Sequence, residues 1–273
     1  MQPHVVDDRM PSIMTACRES STLYQAADGR ELPLLLFEPG DGTRPRTGIV
    51  VFHGGALREG SADGLAPHCQ KLASRGILAV SAGYRLLGQG AASIDDCIAD
   101  VRRAVEQFGR LAALRGLEAP HLASGGSSAG AHLALAAAMI APSEPAPAPE
   151  PGVAAVVALN PAGTDLRLFD PAVRRHLEHQ VGIAAGRLTD YSLIRYVRSG
   201  NPPMLIHHGT RDEIEPIEGV RRFRDAMVRA GNECTLREYE NAAHGFHYPG
   251  NGAHFDDVVD ITARFLLDRI AAN

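Results

Sequence analysis

The chain of 273 residues has no tryptophan, only eight phenylalanines and six tyrosines, four cysteines and no excess of positive charge. Each shortage excludes something. Lys and Arg number 27 against 32 Asp and Glu, a formal net charge of -5, which removes the electrostatic footprint of a nucleic-acid-binding protein. No apolar run approaches the roughly 18 residues that span a bilayer: the run beginning at Ala131 is interrupted at once by His132, and 153–159 is only strand-sized. No membrane partner is expected. The N-terminus MQPHVVDDRM has neither the basic nor the apolar region of a secretory signal, so a cytoplasmic location is the expectation. Cys17, Cys69, Cys97 and Cys234 are scattered, without a CxxC pair or the Cys/His spacing of a zinc site. They read as reduced thiols packed as small apolar side chains.

What the chain does have is enough apolar sequence for one large core, 45% hydrophobic against 22% charged. A single domain over 1–273 is expected, and no repeat period is visible. Segments 22–26 and 32–38 flank Asp28-Gly29 and read as an antiparallel hairpin. Beyond it, strands alternate with helices. The runs 48–52 and 77–81 carry no polar alternation, as parallel strands buried on both faces do, and 121–124, 153–159, 203–207 and 235–239 read as further strands. Between them lie helical stretches near 64–74, 129–140 and 217–230, a helix capped by Ser93 with apolar positions Ile94, Ile98, Val101, Val105 and Phe108, and a last helix near 255–271. This order predicts an α/β fold with an eight-stranded, mostly parallel sheet covered by helices on both faces. Two segments interrupt it: the proline-rich 141–152, read as a surface loop, and 161–200, read as a lid insertion with helices at 173–180 and 191–197. Asp95-Asp96, Arg174-Arg175-His176 and Arg221-Arg222 read as solvated helix faces.

Gly126-Ser127-Ser128-Ala129-Gly130 fits GxSxG between a strand and a helix, the setting in which the motif builds a tight turn with an exposed serine. Ser128 is the candidate nucleophile. His53-Gly54-Gly55-Ala56 follows a strand directly, and glycines there leave backbone N–H groups free; Gly54, Gly55 and Ala129 are the expected oxyanion donors. His53 reads as a residue that holds this loop. Asp212 stands at the end of a strand and His244 in a loop before Gly245, with room between them for one helix and one strand. The order Ser, Asp, His suits a nucleophile, its orienting acid and its base. Glu213 and Glu215 stay open as alternative acids, and His207, His208 and His247 as alternative bases. The two histidines on the strand must face opposite sides of the sheet, and His247 reads as a pocket or surface residue.

With FHGGA at 52–56, YRL at 84–86, GGSSAGAHLA at 125–134, HGTRDEIEP at 208–216 and AHGF at 243–246, the sequence resembles the α/β-hydrolase superfamily. Within it, the likeness is to HGG-type serine esterases related to hormone-sensitive lipase and to bacterial acetyl and feruloyl esterases. The resemblance implies a cofactor-independent serine esterase acting on a short-chain, acetyl ester of a small soluble alcohol or sugar. The lipase-like branch carries an acid where this chain has Ser127, which points away from long-chain lipids. An acyltransferase or acetate-eliminating enzyme on the same fold, and a non-catalytic binding homologue, are the rival expectations. Self-association as a homodimer stays open.

Overall fold

The structure is a computed structural model in which residues 17–40, 42–117, 121–140 and 152–270 are described. The proline-rich 141–151 and the N-terminal 1–16 lie outside the described residues. Eight strands form one sheet: β1 (Cys17–Gln25), β2 (Glu31–Pro39), β3 (Thr47–Phe52), β4 (Ile77–Ala82), β5 (Leu122–Ser127), β6 (Ala155–Leu159), β7 (Met204–Gly209) and β8 (Cys234–Tyr239), in the order β1-β2-β4-β3-β5-β6-β7-β8. The hairpin β1–β2 is antiparallel, as is β2 against β4; the six strands from β4 to β8 are parallel.

The uninterrupted apolar runs are explained by what lies on either side. On one face Val50, Phe52, Val80 and Ile206 pack beneath α2 (Ile94–Ala113), α3 (Ala129–Met139) and α5 (Ile217–Arg229). On the other, Ile49, Val51, Ala79 and Val157 pack against α1 (Ala66–Ala73) and α6 (Phe255–Ile270). Successive residues of a strand point to opposite faces, so a strand covered twice has no place for polar alternation. α2 starts in a reciprocal cap: Ser93 Oγ accepts from Asp95 N at 3.2 Å, while the Asp96 carboxylate accepts from Ser93 N at 3.3 Å and from Ala92 N at 2.7 Å. Asp95 accepts from the Tyr191 hydroxyl at 2.8 Å. The pair at 95–96 is thus committed to holding local structure and is not a freely solvated face.

Two expectations of secondary structure are corrected. β5 does not stop at Ser124 but runs through Gly125–Gly126 to Ser127. Its glycines carry no strand signal, yet they are required: a Cβ at Gly126 would lie 2.5 Å from Phe52 O. In the insertion, α4 (Pro171–Gln180) is present, but 191–197 is not an α-helix; it forms parts of two single turns of 3-10 helix, Leu188–Tyr191 and Leu193–Tyr196. There the N–H groups of Leu193 and Ile194 donate to Gly163 O and Thr164 O, so the backbone is committed to a neighbouring segment and cannot continue a helical ladder. Among the described residues no helix is long and apolar enough to cross a membrane. All four cysteines are free.

Candidate active site

The C-terminal ends of the parallel strands converge on one place. Ser128 leaves β5 and opens α3 with φ 53° and ψ -117°, a backbone conformation costly for a residue with a side chain. The neighbours that allow it have no side chains in the way: Gly126 and Gly130 pack against Phe52 O and His53 O, and a Cβ at Gly54 would sit 3.2 Å from Ser128 Cβ. His244, in the loop after β8, has Nε2 at 2.9 Å from Ser128 Oγ and Nδ1 at 2.7 Å from Asp212 Oδ2. Because a carboxylate only accepts, Nδ1 carries the proton and Nε2 presents its lone pair to the serine hydroxyl.

Asp212 follows β7 and is buried. Its Oδ1 accepts from Ile214 N at 2.9 Å and Glu215 N at 3.0 Å. Burial alone pushes its pKa up, but the hydrogen bonds from His244 and the Glu215 N–H, with the nearby His244 and His208 rings, outweigh it and hold the carboxyl below its ordinary range. The competing candidates are placed elsewhere. Glu213 is exposed at the cleft wall. Glu215 is buried, and its carboxylate is occupied by Gly163 N at 2.9 Å, Thr164 N at 3.0 Å and the Thr164 hydroxyl. Burial raises its pKa to about 7. It ties the acid-bearing loop to the foot of the insertion.

His207 and His208 are both fully buried in β7. His207 Nδ1 meets the Tyr239 hydroxyl at 2.8 Å, and His208 Nε2 donates to Glu215 O at 2.9 Å. The reading of His247 as a pocket or surface residue is corrected: it has no exposed surface and meets Ser127 Oγ at 2.9 Å. Its polar atoms find partners inside the protein, which is how a histidine can be buried at all. His53 stacks on Tyr84 with ring centroids 4.4 Å apart, and its Nδ1 donates to Gly54 O at 2.7 Å. The Tyr84 hydroxyl donates to His53 O at 2.9 Å, so the loop before Gly54 is held from two sides.

Among the described residues no hydrogen bond uses the backbone N–H of Gly54, Gly55 or Ala129. Beside Ser128 opens a cleft of about 360 Å³, walled by Ala56, Leu57 and Ile94 from the core domain and by Leu166, Phe169, Val173, Leu177, Val181 and Leu188 from the insertion. A larger cleft, about 480 Å³, lies between the hairpin and α2, but its lining of Gln25, Arg103, Glu106 and Arg110 is remote from the serine. Asn160, which the sequence reading passed over, is fully buried with φ 36° and has Nδ2 3.4 Å from His244 Nε2. An asparagine ending an apolar strand was its only signal. No group of three or more His, Cys, Asp or Glu side chains among the described residues is arranged to hold a metal ion.

Comparison with known proteins places this geometry. A family model described as BD-FAE matches residues 34–227. The chain belongs to the BD-FAE family. Among solved structures, this BD-FAE member is similar to a thermophilic esterase, Est2, of the Planctomycetes species Thermogutta terrifontis: 30% identity, 95% of each chain covered and a TM-score of 0.79. The propionate-bound form of that esterase aligns equally well over 95% of this chain and 97% of that one, with 30% identity and a TM-score of 0.79. The form phosphorylated by paraoxon gives 30% identity over 95% and 96%, with a TM-score of 0.77. A shorter similarity, 33% identity over 75 residues, is to the "Uncharacterized peptidase YuxL" of Bacillus subtilis; it covers 28% of this chain, which spans only 11% of that protein. The BD-FAE chain has the α/β-hydrolase fold and is a serine hydrolase.

Proposed function

We propose that the protein is a carboxylic ester hydrolase that works through an acyl-enzyme on Ser128. The observation that carries this reading is the continuous chain Ser128 Oγ, His244, Asp212, with contacts of 2.9 and 2.7 Å, standing beside three unused backbone N–H groups at the mouth of a cleft. His244 takes the serine proton as Oγ attacks the ester carbonyl, and Asp212 stabilises the imidazolium that forms. The N–H groups of Gly54, Gly55 and Ala129 receive the oxyanion; one such donor contributes about 3 kcal/mol. His244 then returns the proton to the departing alcohol, and the same ring activates the water that releases the acid.

The cleft narrows the substrate. Its walls are mostly aliphatic, and each sugar hydroxyl left without a partner against such walls would cost about 1–3 kcal/mol. The reading is therefore a short acyl group, acetyl or one of a few more carbons, joined to an alcohol with an apolar body. The Est2 structures with propionate and with butyrate are consistent with short acyl groups. The segment 161–200 acts as a fixed cap of a single catalytic domain: Glu215 holds Gly163 and Thr164, Arg58 donates to Gln180 O, and Ile94 N donates to Val181 O.

The test is turnover of p-nitrophenyl acetate, butyrate and octanoate by wild-type protein and Ser128→Ala, with intact-mass detection of a fluorophosphonate adduct. Turnover of the two short esters, an adduct lost in the variant, and equal yields of free acid and alcohol are expected. Absence of the adduct on folded wild-type protein refutes the nucleophile; transfer of the acyl group to an added alcohol in preference to water refutes hydrolysis.

A further inference from the structure

A second hydrogen-bonded chain lies buried behind Ser128 and uses none of the groups assigned above. It runs from Ser127 Oγ to His247 Nε2 at 2.9 Å, and from His247 Nδ1 to His68 Nε2 at 3.1 Å. His68 Nε2 is also 3.1 Å from the backbone oxygen of His247. Ser127 and His68 are buried and His247 has no exposed surface.

The protons along this chain follow from that one carbonyl. A carbonyl oxygen only accepts, so His68 carries its proton on Nε2. That N–H also faces His247 Nδ1, which must then be the bare nitrogen. A neutral His247 is left with its proton on Nε2, where it donates to Ser127 Oγ. The remaining ring atom, His68 Nδ1, has no partner; in this arrangement it is a lone pair and not an orphaned N–H. Burial is the main cause holding both rings neutral, pushing His68 down to about 4 and His247 well below the ordinary imidazole range. The titratable groups that bear on His247 are His68 from α1, His207 from β7 and His244 from its own loop. None is a carboxylate that could stabilise a cation.

The position of the chain gives it a consequence. Ser127 is the last residue of β5 and is bonded directly to Ser128. His247 stands three residues beyond His244, in the same loop. One neutral ring thus joins the strand end that presents Ser128 to the loop that presents His244, while His68 anchors that ring to α1.

We infer that Ser127, His247 and His68 form a positioning relay for the Ser128–His244 contact. The inference rests on the proposed esterase reading for its kinetic effect, but its proton arrangement stands without it. His247→Phe keeps a ring in the space and removes both hydrogen bonds. The expected result is a fall in kcat of about 10- to 100-fold, as for displacement of a reacting pair by a fraction of an ångström to an ångström, with KM within about twofold because no cleft wall is changed. His247→Gln restores an N–H donor to Ser127 and recovers most of the loss. Folded His247→Phe with wild-type kcat overturns the relay. Should that variant fail to fold, Ser127→Ala decides: it deletes the hydroxyl that accepts from His247 and leaves both rings in place, and kcat is expected to fall about fivefold or more, unchanged kcat overturning the inference. Nitrogen-15 imidazole correlation spectra of the intact protein supply a readout independent of turnover. His247 and His68 should both be neutral Nε2–H tautomers at pH 7; an Nδ1–H tautomer at His247 overturns the proton arrangement. If wild-type protein shows these tautomers but neither turnover nor a fluorophosphonate adduct, the esterase reading has failed and the relay lacks the reaction it serves.

Discussion

Asp212→Asn isolates the electrostatic part of the site with almost no change of shape. The amide oxygen can keep the Ile214 and Glu215 N–H groups now held by Oδ1 at 2.9 and 3.0 Å, so the loop has no reason to move. The amide nitrogen then replaces Oδ2 at 2.7 Å from His244 Nδ1. It donates where the carboxylate accepted. Nδ1 must give up its proton, Nε2 must carry it, and the ring now points an N–H at Ser128 Oγ instead of a lone pair. The base is lost through the tautomer, and the imidazolium of the transition state loses its counter-charge. The expected drop in kcat is about 10⁴-fold, or about 5 kcal/mol of transition-state stabilisation. The assay is kcat/KM for p-nitrophenyl butyrate together with the rate of fluorophosphonate labelling, with thermal melting to show that the fold survives. A folded Asp212→Asn within about tenfold of wild type would refute the reasoning and return the acid to Glu213 or Glu215.

Three further outcomes are expected. Asp100 is completely buried and accepts from Arg85 Nε at 2.7 Å and Nη2 at 2.9 Å; Asp100→Ala strands the guanidinium and should cost about 3 kcal/mol in urea denaturation, the low end because Asp28 and Asp96 stay nearby. An unchanged urea midpoint would show that this pair carries no stability. Burial, the main cause, lowers His207 to about 3 and His68 to about 4, while an unfolded histidine titrates near 6.5. Between those values the unfolded chain binds protons that the folded chain does not, so stability falls as the pH drops below about 6.5, by about 1.4 kcal/mol per pH unit for each ring. Denaturation midpoints flat from pH 7.5 to 5 would count against it. Finally, Ser128→Gly should melt higher than Ser128→Ala, both being inactive, because only glycine relieves the backbone at φ 53°; the difference is about 1 kcal/mol after glycine's own entropy cost. Equal melting temperatures would show that the turn is not strained.

The central strands β3, β4 and β6 were legible because they are buried on both faces and read as apolar runs, whereas the largely exposed edge strands β1 and β8 were legible only from a turn signal and from the alternation of strands with helices. Elements fixed by a particular partner were not. Gly125 and Gly126 lack any apolar signal and belong to β5 because neighbouring strands come too close for a side chain. The spacing at 191–197 suits a helix, yet Leu193 and Ile194 donate to Gly163 and Thr164, a choice made by a segment thirty residues away. Ser128, Asp212 and His244 could be singled out because each stands in a recognisable local setting after a strand, Ser128 and His244 beside small residues as well. His247 has no such setting. Its burial depends on Ser127 and His68, respectively 120 and 179 residues away in the chain, and a polar residue is read as exposed until those partners are known. Asn160 escaped for the same reason.

The contact between Ser128 and His244 spans 116 residues of chain, and His244 follows β8, the last strand and one edge of the sheet. Far-UV circular dichroism in a refolding experiment will register the helices and the central strands as they form. Reactivity of the serine waits for the final strand to dock and carry the imidazole in. Loop-closure entropy makes such distant pairings late events. The time course of labelling at Ser128 after dilution from urea is therefore a clock for completion of the sheet's edge, separable from the appearance of secondary structure.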